Sequence, residues 1–210
     1  MGRWGTEFDP DRLGQLETRM WKAYYRRQPA RLFGWLLLGL REQAMVGWLR
    51  ALVASLYLTK AAAGFARATG DYDRFAPDIA RGYRLLRLPE SVDALEVGRR
   101  ELRWWVVRRE IGLAAGSAAG EAITGLYAAI YELPPNVVEE AGRLRGQAAE
   151  VRDRGAAADP DGPTGPGRAY WPEVARLLRD SYRSLERAVS ERGPVAEAAP
   201  AVSDPRDVAR

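Results

Sequence analysis

The sequence predicts an all-α protein: a single bundle of about seven helices, with a flexible Gly/Pro segment before the last one. Three observations carry this. Apolar residues recur at three- and four-residue spacing along most of the chain, broken by Pro and Gly. Nowhere do β-branched residues alternate with polar ones over the length of a strand. An apolar share of 47%, including 7 Trp, 9 Tyr and 4 Phe, suffices for a core in a 210-residue chain.

Each element has its own signal. Asp9-Pro10-Asp11 reads as a cap, and Leu13, Leu16, Met20 and Tyr24 continue at helical spacing up to Pro29, which ends or kinks that helix. Arg31–Leu40 is apolar on nearly every side, so it must lie in the middle of a bundle or cover a partner. After a break near Gly47, Trp48–Thr69 forms a third helix, closed by Gly70. Asp71 or Asp73 caps the next, with Pro77 in its first turn and Ile79, Tyr83 and Leu86 on one face until Pro89. A helix opens at Ser91 or Asp93 and runs to about Glu110.

The small-residue stretch 112–120 reads as a loop and helix start, leading into Glu121–Leu133, which Pro134-Pro135 closes. Asn136-Val-Val-Glu139 is a capping-box variant. Behind it Val137, Ala141, Leu144, Ala148 and Val151 form a narrow seam, with Gly155 as the residue past its end. Pro172 starts a last amphipathic helix bearing Val174, Leu177, Leu178, Leu185 and Val189. The expected organisation is a main bundle over 1–154, a linker or long loop over 155–168, a helix packing on the bundle over 169–192, and a disordered tail over 193–210.

Composition excludes several chemistries. The chain has no His and no Cys. Imidazole bases, thiol nucleophiles, disulfides and sites ligated by His or Cys are therefore absent. The longest stretch without a charged residue is ten, at 111–120 and 122–131, against the 18 or more that a membrane helix requires. The charged N-terminus lacks the apolar core of a secretory signal, so a cytoplasmic location is expected. Met1-Gly2-Arg3-Trp4-Gly5-Thr6 satisfies the myristoylation pattern, which is short enough for chance to explain it. Two Lys against thirty Arg, one Asn and four Gln make the composition thermophile-like, a preference that coding bias also produces. Basic charge concentrates early: residues 1–70 hold 11 basic and 5 acidic groups.

The most informative pattern is an internal echo. Glu17-Thr-Arg19-Met20-Trp21 and Glu101-Leu-Arg103-Trp104-Trp105 share Glu-x-Arg-apolar-Trp, and each precedes a double Arg, at 26–27 and 108–109. On a helix each Glu lies beside the aromatics one turn later. A carboxylate against apolar surface becomes a candidate acid or anchor unless an Arg pairs with it. A ligand pocket would then have Glu17 and Glu101 at its centre, Trp21, Trp104 and Trp105 as walls, Arg19 or Arg103 as an anion clamp and Tyr24 as a polar handle. The competing reading is two structural acids, each salt-bridged to an Arg of another helix. Ferritin-like di-iron bundles carry Glu-x-x-His motifs on facing helices. Here Met20 and Trp104 stand at the His position, and neither a metal nor a cofactor is expected.

A second candidate is the stripe of Arg19, Lys22 and Arg26, joined by Arg27 and Arg31 and interleaved with Trp21, Tyr24 and Tyr25. It could hold phosphates of nucleic acid or an anionic surface, although Arg stems lying over aromatics explain it as well. Glycines at 112, 116 and 120 and at 142 and 146 mean close helix approach or loop flexibility. Glu121, isolated among small and apolar residues, belongs near a helix start, where the dipole favours it. Tyr127 and Tyr131, one turn apart, read as a core or interface ridge.

The resulting expectation is a non-catalytic structural or protein-interaction protein. Its Leu32–Tyr57 region would be the buried hub, shared across a homodimer or covered by a protein partner. The first alternative is the small-molecule pocket, taking a small anionic ligand. The second is binding of nucleic acid or an anionic membrane surface through residues 19–31.

Overall fold

The computed structural model describes residues 7–112, 116–158 and 169–191. All regular elements among them are helical: α1 (Pro10–Tyr25), α2 (Pro29–Ala44), α3 (Trp48–Arg67), a 3-10 turn (Tyr72–Phe75), α4 (Ala76–Leu85), α5 (Ala94–Ile111), α6 (Gly116–Tyr131), α7 (Pro135–Ala157) and α8 (Trp171–Glu191). The all-α bundle is as predicted, with eight α-helices in place of about seven. The myristoylation pattern, most of the linker and the C-terminal tail lie outside the described residues.

Each helix packs on its neighbours in sequence, and α8 packs back on α1, so the bundle is a closed ring in chain order. Helices α1 and α8 run antiparallel. Asp11 pairs with Arg183, Gly14 touches Arg179, and Lys22 lies over Trp171. The main core fills the ring, with Leu13, Ile79, Leu86, Val97, Ile123, Leu126, Val138 and Leu185 nearly sealed from solvent. A second cluster of Trp21, Ala148, Ala149, Trp171, Val174, Leu177 and Leu178 binds α1, α7 and α8 together.

Local chemistry sets the boundaries. Asp9 caps α1 by accepting from the amides of Asp11 and Arg12 at 2.9 and 3.1 Å, and Pro10 occupies the first turn, where its missing N–H costs nothing. Pro29 likewise starts α2, after Arg27 has turned the chain through a left-handed conformation. Asp93 caps α5. The end of α3 is held from outside: Arg109 donates to the carbonyls of Phe65 and Ala68 at 2.7 and 2.9 Å, a cation placed on the negative end of the helix.

Several expectations need correction. Helix α6 begins at Gly116, because the small residues 116–120 are its contact surface and not a loop. A methyl group on Gly142 would sit 2.7 Å from the Gly120 carbonyl, and one on Gly146 2.6 Å from the Gly120 nitrogen. The two glycine runs therefore meet, and backbone packs on backbone. Helix α7 is N-capped by Pro134 with no side-chain bond, so the box at Asn136 does not form. Val137 is exposed, and the buried seam is Val138, Ala141, Gly142, Gly146, Ala148 and Ala149. Gly155 lies within α7, pressed by the Tyr170 ring, and does not end it. Helix α3 stops at Arg67, before Gly70, with Ala68 extended.

The largest departure is α2. Ala44 is its only buried residue, and residues 32–43 are half-buried throughout. The Leu32–Tyr57 hub is a wall of the ring with one side turned outward. Leu36, Leu37 and Leu40 reach the core, whereas Trp48, Leu49, Leu52 and Leu56 face solvent.

Candidate functional site

The Glu of each echoed motif is held by the Trp four residues on. Trp21 donates its indole N–H to Glu17 at 3.1 Å, and Trp105 donates to Glu101 at 3.0 Å. The spacing i, i+4 puts the ring one turn above the carboxylate on the same face, which is the physical content of the motif. Trp104 makes a second such bond to Glu101, and Tyr83 of α4 donates a third, both at 3.0 Å. Glu17 is 4% exposed. It also takes Nε and Nη2 of Arg145 on α7, at 2.9 and 2.6 Å.

Arg145 is the hub that joins the two motifs. Its third donor goes to the Tyr127 hydroxyl at 3.1 Å, its guanidinium lies 5.4 Å from the Trp104 ring, and the charge of Glu101 acts on it. Burial disfavours its charge, but Glu17, Tyr127, Tyr182 and Glu101 outweigh that and hold it well above the ordinary guanidinium value. Burial pushes the hydroxyls of Tyr83, Tyr127, Tyr131 and Tyr182 above the usual phenol range. The charges of Glu101 at Tyr83 and of Glu17 at Tyr182 push in the same direction. Gln43 of α2 donates to Tyr131 at 3.0 Å, so α2 also reaches this polar axis.

Thus Glu17, Trp21, Glu101, Trp104 and Trp105 of the candidate pocket converge on the axis. The other three do not. Arg19 and Arg103 are exposed, because residue i+2 points away from residue i on a helix. Tyr24 is half-exposed and stacks edge-on against Tyr25. The cation among the five is Arg145, which the sequence pattern did not single out, and its donors go to Glu17 and Tyr127. Its signal was present: at i+4 from Ala141 and i−3 from Ala148, it interrupts the buried seam of α7.

A second polar cluster lies beside the first. Arg108 donates to both oxygens of Asp153 at 2.8 and 3.0 Å and to the Tyr25 hydroxyl at 2.8 Å. Arg152 donates to Asp153 at 2.7 Å and stacks on the Tyr25 ring, 3.1 Å from its centre. This is the structural use of the double Arg after the second motif, with Arg108 on Asp153 and Arg109 on the end of α3. Of the basic stripe, Arg26, Arg27 and Arg31 are exposed, Arg19 lies over Trp35 and Lys22 over Trp171. Burial, together with Arg26 and Arg19, lowers the Lys22 pKa, so positive charge is crowded there. Glu121 is exposed in α6, and Tyr127 and Tyr131 are buried.

Among the described residues no group of three acids is placed to hold a metal ion, and no helix is long and apolar enough to cross a membrane. The chain matches no protein-family model, no curated protein and no solved structure.

Proposed function

We propose that this chain is a cytoplasmic, non-catalytic interaction protein: a helical ring that presents the outer side of α3 and the α2–α3 corner to a partner. One observation carries the reading. Met45, Trp48, Leu49 and Leu56 are 60%, 55%, 74% and 54% exposed, and with Leu52 they form a continuous apolar strip. On α3 the spacing 49, 52, 56 places the leucines on one stripe, opposite the buried Ala51, Ala54, Leu58 and Ala61. Scattered exposed leucines need no explanation, whereas a contiguous ridge of large apolar side chains marks a surface that something covers.

The polar axis supports the non-catalytic half. Glu17 and Glu101 are each held by three donors from the chain itself, and the cation between them is neutralised in place. At Glu17 all three donors converge on Oε1, and a buried network held this closely favours one packing arrangement. Oxidative footprinting tests the docking half. Met45 and Trp48 are expected to oxidise readily in the purified chain and to be protected in intact cells, while Ile111 and Val137, also exposed, react equally in both. Equal oxidation of Met45 and Trp48 in both settings would reject the reading.

A further inference from the structure

We propose that the surface covering this ridge is an anionic lipid bilayer, on which the ring lies with α3 in the interface. This rests on the docking reading and names its partner. The first argument is charge. From residue 19 to residue 67, spanning the end of α1, all of α2 and all of α3, the chain carries nine basic residues and one acid. That acid, Glu42, is already paired with Arg12 at 3.0 Å. Arg26, Arg27, Arg31, Arg50 and Arg67 are exposed. The only strongly basic third of the protein is therefore also the part with the exposed apolar strip.

The second argument is shape and chemistry. The strip is led by Leu49, its most exposed residue, at the start of α3, where Met45 in a left-handed conformation and Gly47 turn the chain. An exposed apolar stripe on a helix, with Arg41 and Arg50 beside its start, matches the two requirements of stable attachment to an anionic interface: apolar insertion and headgroup attraction. Trp48 is suited to headgroup depth, with the Arg41 guanidinium 4.5 Å from its ring centre. Beyond Leu56 the same stripe carries Lys60, paired with Asp78 of α4 at 2.8 Å, and the exposed Arg67, which is left for headgroup contact.

Other occupants fit less well. A second copy docking by twofold symmetry would bring this cationic surface against itself, which repels. Nucleic acid would use the cations but leave Leu49, Leu52 and Leu56 without an apolar partner.

The test is flotation of the full chain with phosphatidylcholine vesicles with and without phosphatidylglycerol. Binding is expected only to the anionic vesicles. It should weaken on the order of a hundredfold in the triple variant L49S/L52S/L56S, and should fall at about 1 M salt, where screening reaches about 3 Å. Because the chain has no cysteine, L49C and E139C each accept a single environment-sensitive dye. The fluorescence of the first should shift to the blue on anionic vesicles and that of the second should not. This readout does not depend on how well the triple variant folds.

No flotation, equal flotation with neutral vesicles, or equal dye shifts at 49 and 139 each overturn the lipid assignment. Sedimentation velocity without lipid separates the two levels of inference. A concentration-dependent dimer abolished by L49S/L52S/L56S would put a second copy on the ridge, keeping the docking reading and removing the bilayer. Protection of Met45 and Trp48 in cells without flotation or dimerisation would point to an acidic protein partner and also reject the bilayer. Absence of that protection would reject both levels.

Discussion

Helices α2 and α6 are both sixteen residues long and both rich in apolar side chains, yet ten residues of α6 are buried and one of α2. Apolar content does not decide burial here; the distribution of side-chain size does. Helix α6 puts Gly116, Gly120 and Thr124 on the side facing α7, so the backbones approach closely, while Ile123, Leu126, Tyr127 and Ile130 fill the ring. Helix α2 carries large side chains all round, from Leu32 to Leu40, and contacts mainly α1 and α3. Its glycines, Gly34 and Gly39, face open space and bring nothing closer.

The comparison can be tested from the largest expected effect to the smallest. Alkali comes first. The folded chain holds Tyr83, Tyr127, Tyr131 and Tyr182 protonated above their ordinary value, whereas the unfolded chain ionises them near pH 10. A raised folded pKa gives stability that is complete below about pH 10 and lost as pH rises. Each buried tyrosine then removes about 1.4 kcal/mol per pH unit. Of nine tyrosines, these four should yield phenolate only together with loss of helical circular dichroism; more than five phenolates per chain in a still-folded protein would contradict their burial.

Breaking the axis is next. Glu17→Ala leaves Arg145 buried and uncompensated, and should cost about 3–5 kcal/mol in urea unfolding. A cost below about 1 kcal/mol would mean that water reaches the pair. Leu126→Ala, at a site 1% exposed, should cost about 3 kcal/mol, and Leu38→Ala on α2 less than about 1 kcal/mol. Similar losses at both would erase the distinction between the helices. The smallest effect is a pair of opposite signs. Gly146→Ala should destabilise by about 1–3 kcal/mol, because the new methyl meets backbone. Gly39→Ala should stabilise by about 0.5–1 kcal/mol, because it meets nothing and removes backbone entropy from the unfolded state. Thermal melts of the two variants decide it.

Much of the fold was legible because Pro and Asp punctuate it: Asp9-Pro10, Pro77 and Asp93 mark helix starts that the structure retains, and Pro29, read as the end of the first helix, is where the second begins. The start of α6 was not, since 116–120 contains no large residue whose periodicity could be read. Its helix is stabilised by α7, some 25 residues away. Of the candidate site, the Glu–Trp contacts lie within one turn and could be read directly. The Arg145 partner of Glu17 is 128 positions distant; its place in the α7 seam marks it as inward-facing, but nothing local says which acid it meets. The half-exposure of α2 was missed for a related reason. An all-round apolar helix satisfies equally the pattern of a bundle centre and that of an outer wall with a covered face.

The ring order has a consequence for synthesis. Among the described residues the extensive helix packing joins neighbours in the chain and can form as each helix leaves the ribosome, except that α1 also packs on α8 and so joins the first element to the last. Until α7 emerges, Glu17 lacks its arginine, and until α8 emerges, Trp21 lacks the apolar cluster contributed by Trp171 and Val174. A nascent chain stalled after α6 would therefore hold α1 chiefly by its packing on α2, with Glu17 still lacking Arg145 and Trp21 its apolar cluster.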